Sequence, residues 1–194
     1  MQFIELMATI SGLLCVYFGI RQNILTWLFG LIQVVIYTYI FYEAALYSDV
    51  GLHVFYIFIQ LYGYYSWTKK DENNQTLQPG LIGQWVYLWI ILVVGSSFVL
   101  GSFMSTYTSA SMAFPDAFTT TSSILAQFLM IRKKVESWIF WIVVNLYAII
   151  IYASKGLLIS SGLYFVFLFM AIIGLIEWNR AFLQKQKTYG AKEI

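Results

Sequence analysis

The chain has 194 residues, 60% of them hydrophobic and only 10% charged, with a formal net charge of +2. A soluble domain carries roughly 25% charged residues. A chain of this length cannot hide so much apolar surface in water, so the composition excludes a soluble globular protein and requires a bilayer. The positive residues are confined to short loops and the C-terminal tail, which leaves no basic face for nucleic acid. The single cysteine, Cys15, lies in an apolar run, so neither a disulfide framework nor a cysteine-based metal site is available.

A helix needs about 20 apolar residues to cross the hydrocarbon, and such runs predict seven transmembrane helices. The first, 3–20, follows a start without the basic region of a signal peptide, and is expected to be retained as a span. After the joint Arg21-Gln22-Asn23, the second run, 24–42, carries Gln33 and Tyr37 as its polar residues at depth. The third, 50–68, presents His53, Tyr56, Gln60, Tyr64 and Trp67 on one face. A solvated loop from Lys69 to Pro79 leads to the fourth run, 82–104. In the fifth, 115–131, Thr120, Ser123 and Gln127 line one face after Asp116. The sixth, 137–153, places Trp138, Trp141, Asn145 and Tyr152 within about 60° of one another. The seventh, 158–179, carries Tyr164 and is followed by a basic tail.

Seven spans send alternate loops to opposite sides. Arg21, Lys69, Lys70, Arg132, Lys133, Lys134, Arg180, Lys185, Lys187 and Lys192 fall on one side, and only Lys155 on the other. The positive-inside rule then puts the N-terminus outside and the C-terminus in the cytoplasm.

Shifting the chain against itself by 111 residues aligns its first three predicted helices with its last three. Arg21 falls on Arg132, Trp27 on Trp138, Gly51 on Gly162, Gly63 on Gly174 and Trp67 on Trp178, all in one register. Three helices are an odd number, so a directly fused second copy would be inverted. The fourth helix restores its direction. The expected fold is therefore all-α, with two parallel three-helix bundles joined by an inverter helix (3+1+3), an arrangement that transporters use to bind substrate near the midplane. The expected divisions are a first repeat at 1–68, a loop and linker helix at 69–111, a second repeat at 112–181 and a cytoplasmic tail at 182–194.

Aromatic faces beside a buried amide suit a planar, cationic, hydrogen-bonding ligand. Other readings stand beside this one: an interfacial belt for Trp138, an interhelical hydrogen bond for Asn145, and either a proton carrier or a neutral hydrogen-bonding residue for His53. No carboxylate occupies the centre of a predicted span, which favours passive facilitated diffusion over proton or sodium coupling. No phosphate-binding glycine loop, nucleophile–base pair or metal-ligand cluster is visible, so neither an enzyme nor a cofactor is expected.

The segments Trp27-Leu-Phe-Gly-Leu-Ile-Gln33, Tyr62-Gly-Tyr-Tyr-Ser-Trp67, Ala126-Gln127-Phe-Leu-Met130 and Glu136-Ser-Trp138-Ile-Phe-Trp141-Ile-Val-Val-Asn145 resemble the PnuC family of vitamin transporters, across nearly all seven predicted helices. The resemblance implies the full-length SWEET-like architecture in a bacterial inner membrane and a trimeric assembly. It also implies facilitated uptake of an unphosphorylated vitamin, trapped afterwards by a separate cytoplasmic kinase. It carries Trp138, Trp141, Asn145 and Gln127 over as substrate contacts. Family members take nicotinamide riboside, thiamine or riboflavin. Those of the riboside type usually have Asn where this chain has Gln33, which points to the thiamine branch, with nicotinamide riboside as the alternative.

Overall fold

The computed structural model describes residues 2–43, 45, 47–70, 74, 76–108 and 112–190. They form α1 (Gln2–Ile20), α2 (Leu25–Glu43), α3 (Tyr47–Thr68), α4 (Val86–Tyr107), α5 (Ala113–Ile131), α6 (Ser137–Ser154) and α7 (Leu158–Gly190), with a 3₁₀ turn, Gly83–Trp85, leading into α4. Among the described residues there is no strand, only two isolated bridges, Lys70 to Thr76 and Gly80 to Lys134. The apolar runs form helices, which satisfy their backbone groups internally where no water can do so.

Among the described residues, five helices are long and apolar enough to cross a membrane: α1, α2, α4, α6 and α7. The expected count of seven is thus not carried by length and composition alone. The two that fall short are richer in polar residues: α3 has His53 and Gln60 among many tyrosines, and α5 has Asp116, Thr119 to Thr121 and Gln127. Alpha-seven departs from expectation at its far end. It continues past 179 to Gly190 because nothing between Asn179 and Thr188 breaks a helix, and its 33 residues span roughly 50 Å. Large apolar side chains are widely exposed, Ile91 at 67%, Val99 at 70% and Ile159 at 93%, as befits surfaces that face lipid rather than water.

The chain divides into two compact units, Met1–Leu77 and Gln78–Ile194. In the first, α2 packs against both α1 and α3. The turn between α1 and α2 is built on Gln22 in the left-handed region, φ 54°, with Asn23 N–H donating back to the Phe18 carbonyl at 2.9 Å. The Asn23 side-chain oxygen accepts from Leu25 N–H at 2.9 Å and so starts α2, and the Thr26 hydroxyl donates to the Cys15 carbonyl at 2.8 Å, tying α2 to α1.

In the second unit, α5 packs on α4 and α6, and α6 on α7. Its α5–α6 turn repeats the first unit's turn 111 residues on. Lys133 takes the left-handed conformation at φ 48°, and Lys134 N–H donates to the Leu129 carbonyl at 2.9 Å. Arg132 lies over the Phe128 ring, as Arg21 lies over Tyr17. Here the turn is also clasped from outside. Gly80 donates to the Lys133 carbonyl and accepts from Val135 N–H, while Glu136 Oε1 accepts from Ile82 N–H at 2.8 Å. At the other ends of these helices, Lys155 approaches Asp116 at 3.9 Å, an exposed pair that contributes little.

Candidate functional site

Two tryptophan joints organise the helices, one in each unit. In the first unit the ring of Trp27 on α2 meets Trp67 on α3 edge-on, with centroids 5.3 Å apart at 89°. In the second unit Trp138 on α6 meets Trp178 on α7 in the same way, at 5.5 Å and 84°. Each joint closes on a glycine. Gly63 gives Trp27 the space that a Cβ would fill, and Gly174 does the same for Trp138. The indole nitrogens of Trp27 and Trp138 are both buried without a hydrogen-bond partner among the described residues. The joint follows from sequence: in each copy, a Gly four residues before one Trp lets the neighbouring helix bring its own Trp against bare backbone.

Beyond its joint, each unit carries its own side chains. On α6, Trp141 is half-buried and Asn145 is buried. On α5, Gln127 is half-buried, whereas Thr120 is exposed and turns its hydroxyl back onto the Asp116 carbonyl at 2.8 Å. Tyr152 stacks on Tyr164 of α7, with centroids 5.1 Å apart and rings 12° from parallel. The four residues of the α6 face share an angle but not a depth. Trp138 and Tyr152 are about 21 Å apart along the helix, so one small ligand cannot touch both.

In the first unit His53 sits in an aromatic box, 4.8 Å from Phe41, 5.8 Å from Tyr56 and 6.0 Å from Tyr37 between centroids. Phe41 and His53 are the 111-residue equivalents of Tyr152 and Tyr164, so this contact is also repeated. The two glutamines are each folded onto a glycine. The amide of Gln33 covers Gly12 of α1, where a Cβ would lie 2.6 Å from its Nε2. The amide of Gln60 covers Gly30 of α2, where a Cβ would lie 2.7 Å from both amide heteroatoms. Sequence reasoning found both glutamines but missed the glycines beneath them.

The two units differ as informatively as they agree. Trp27 and Trp138, Trp67 and Trp178, and Gly63 and Gly174 are identical pairs. By contrast Trp141 answers to Gly30, Asn145 to Val34, Gln127 to Val16, Gln33 to Val144, Tyr37 to Ala148 and Gln60 to Ala171. Every amide or indole beyond the joints therefore occurs in one copy only. Among the described residues no group of three metal-ligating side chains is found.

Comparison with known proteins gives a consistent result. Residues 2–180 match the family model described as nicotinamide mononucleotide transporter. The chain is 28% identical to the nicotinamide riboside transporter PnuC of Escherichia coli strain K12, over 92% of this chain and 85% of that one. It is 31% identical to the nicotinamide riboside transporter PnuC of Neisseria mucosa, over 89% of this chain and 70% of the relative. Among solved structures, that of the vitamin B3 transporter PnuC superposes with a TM-score of 0.73 at 27% identity, covering 94% of this chain and 83% of the other. An all-helical chain with five apolar helices of membrane-crossing length, matched from its second residue to the last turns of α7, belongs to the PnuC family of membrane transporters.

Proposed function

We propose that this chain carries nicotinamide riboside across a bacterial inner membrane by facilitated diffusion, and that a separate kinase then traps the riboside by phosphorylation. The observation that carries the substrate is the near full-length match to relatives named as nicotinamide riboside transporters. The lean towards thiamine gives way. It rested on Gln33, and the length of that side chain is accounted for by Gly12, whose bare backbone it covers.

The family model is described for a mononucleotide, but the charges of this chain favour the riboside. A phosphate carries about two negative charges at neutral pH and calls for Arg or Lys partners. From α1 to α6 no helix contains either residue, and in α7 the first is Arg180. An unphosphorylated, cationic nucleoside suits rings and amides.

The division between identical and non-identical repeat positions supports a set of roles. Trp138, whose equivalent Trp27 does the same in the other unit, holds α6 against α7 and so positions Trp141 one turn on and Asn145 two turns on. Trp141 supplies the stacking face for the pyridinium ring, and Asn145, with Gln127, supplies hydrogen bonds. In the first repeat, Gln33, Tyr37 and Gln60 are the candidate polar residues. His53 is held by its aromatic box and Tyr152 by Tyr164, at the ends of the helices away from the joints. All seven helices cross the bilayer in this reading, as two parallel bundles about α4, and the protein assembles as a homotrimer.

Calorimetric titration of the purified protein with nicotinamide riboside, nicotinamide mononucleotide, thiamine and riboflavin tests the substrate. Binding of the riboside, with at least tenfold weaker response to the others, is expected. Binding of thiamine instead would restore the other branch, and silence from all four in folded protein would overturn the reading.

A further inference from the structure

Resting on the transport reading, we propose that segment 80–82 is a latch on the α5–α6 corner, held closed by Glu136, and that the latch opens in each transport step. The corner at 131–137 is built like the one at 20–26, but the residues that tie the first corner to itself are replaced in the second. In the first, the Asn23 side chain accepts from Leu25 N–H, and the Thr26 hydroxyl donates to the Cys15 carbonyl. Their equivalents 111 residues on are Lys134, Glu136, Ser137 and Ala126. The Lys134 ammonium has nothing with which to accept a hydrogen bond, and Ser137 Oγ is buried without a partner among the described residues.

The second corner is held from outside instead. Gly80 donates to the Lys133 carbonyl at 3.1 Å and accepts from Val135 N–H at 3.0 Å. Lys134 Nζ donates to the Leu81 carbonyl at 3.1 Å, and Glu136 Oε1 accepts from Ile82 N–H at 2.8 Å. The side chains that stand in place of Asn23 and Leu25 are thus the ones that grip the strap. The strap leads through the 3₁₀ turn into α4, and Ile82 packs on the cluster of Val93, Leu125 and Leu129 from α4 and α5. Its hydrogen bonds fasten the start of α6 to the approach to α4, two helices that do not pack on one another among the described residues. The helix so fastened is the one with Trp141 and Asn145. A corner tied to itself moves as one piece, whereas a corner tied to a strap is released when the strap lets go. Leu81 is exposed, and hydrogen bonds at an edge that water reaches exchange for bonds to water at small net cost. The latch can therefore open while Ile82 keeps its anchor.

A disulfide closes the latch for test. Gly80 and Lys134 are bridge partners, and a Cβ on Gly80 would lie 3.4 Å from Lys134 Nζ, so cysteines at the two positions face each other. Gly80→Cys with Lys134→Cys, on a Cys15→Ser background and shown to be folded by its thermal melt, is reconstituted in vesicles. Uptake of nicotinamide riboside and calorimetric affinity are measured before oxidation, after it and after reduction. Oxidation should lower uptake about tenfold and leave affinity within about threefold, and reduction should restore uptake. Unchanged uptake would make the strap a permanent brace, and a matching loss of affinity would mean that it shapes the binding site. Failure of the folded pair to join would contradict the contact itself, and each of these results overturns the latch. Glu136 is tested without substrate. Glu136→Ala in the cysteine pair should slow disulfide formation about fivefold, and Glu136→Gln, which keeps an acceptor, should restore most of the rate. Equal rates in all three would remove Glu136 from the hold. Wild-type protein that takes up no riboside would overturn the substrate reading and the transport step with it, while the disulfide rates still decide whether Glu136 holds the strap.

Discussion

Trp138 and Trp141 stand one turn apart on α6, yet the repeat separates their roles. Trp138 is 2% exposed and shares its geometry with Trp27, whereas Trp141 answers to a glycine. Trp141→Ala should therefore lower riboside affinity roughly thirtyfold, the equivalent of about 2 kcal/mol for a desolvated cation–π contact, while the melting temperature holds. Asn145→Ala should act in the same direction. Trp138→Ala, in contrast, should lower the melting temperature first, since it empties a joint between two helices. Calorimetry and thermal melts on all three variants check the division, and a Trp138→Ala protein that melts like wild type but binds poorly would reverse it. Sequence alone showed these residues sharing a face. It could not show which of them another ring already occupied, nor that Gln33 had Gly12 beneath it, because both facts depend on the neighbouring helix.

Lys133 gives a prediction of another kind. It is buried in the α5–α6 turn, and desolvation pulls its amine from the usual 10.5 down to about 8. The unfolded chain keeps its proton up to about pH 10.5, so between these values the unfolded state binds more protons and stability rises with pH. Below about pH 8 the cost of the buried charge is present in full. The melting temperature of the purified protein should climb between pH 8 and pH 10, and Lys133→Met should flatten that climb and raise the value at neutral pH. A slope unchanged in Lys133→Met would assign it to other groups.

At the scale of the helices, hydrophobic runs marked where all seven described helices lie, although only five of them are apolar and long enough to cross a membrane by length and composition. The end of α7 was not legible in hydropathy. Polar residues with good helix propensity extend it through Lys185 and Lys187, and hydropathy reads only where apolar character stops. The joints make a direct prediction. A methyl group at Gly63 would enter the ring of Trp27, and one at Gly174 the ring of Trp138, with no flexible side-chain end to give way. Gly63→Ala and Gly174→Ala should each destabilise the protein by about 1–3 kcal/mol, the usual cost of overpacking. Gly51→Ala and Gly162→Ala, where no atom lies within 4 Å of the added Cβ, serve as controls. Thermal melts in one detergent compare all four; helix propensity favours alanine at each position, so equal losses at the four would argue that the joint is not responsible.

For the molecule as a whole, the repeat was legible because a scaffold used twice needs the same residues twice: the left-handed turn, the arginine over a ring, the tryptophan on its glycine. The site was less legible because its residues are those that the repeat does not share. The crossing of α3 and α5 joins these two levels. Both are long enough, at roughly 33 Å and 28 Å, but carry the polar side chains that keep them below the hydropathy of their neighbours. A polar helix crosses hydrocarbon only where other helices shield it, so Gln60 on α3 and Gln127 on α5 are among the residues that make the span count depend on packing. In single-cysteine variants built on Cys15→Ser, Tyr47→Cys and Lys69→Cys bracket α3, Met112→Cys and Arg132→Cys bracket α5, and Lys187→Cys marks the end of α7. A membrane-impermeant maleimide should label positions 69, 132 and 187 only in inside-out vesicles, and 47 and 112 only in right-side-out vesicles. Labelling of 47 and 69 from the same side would mean that α3 does not cross, and the parallel relation of the two bundles would be lost with it. The reverse pattern at all five positions would keep the seven spans and overturn the orientation that the distribution of Lys and Arg predicts.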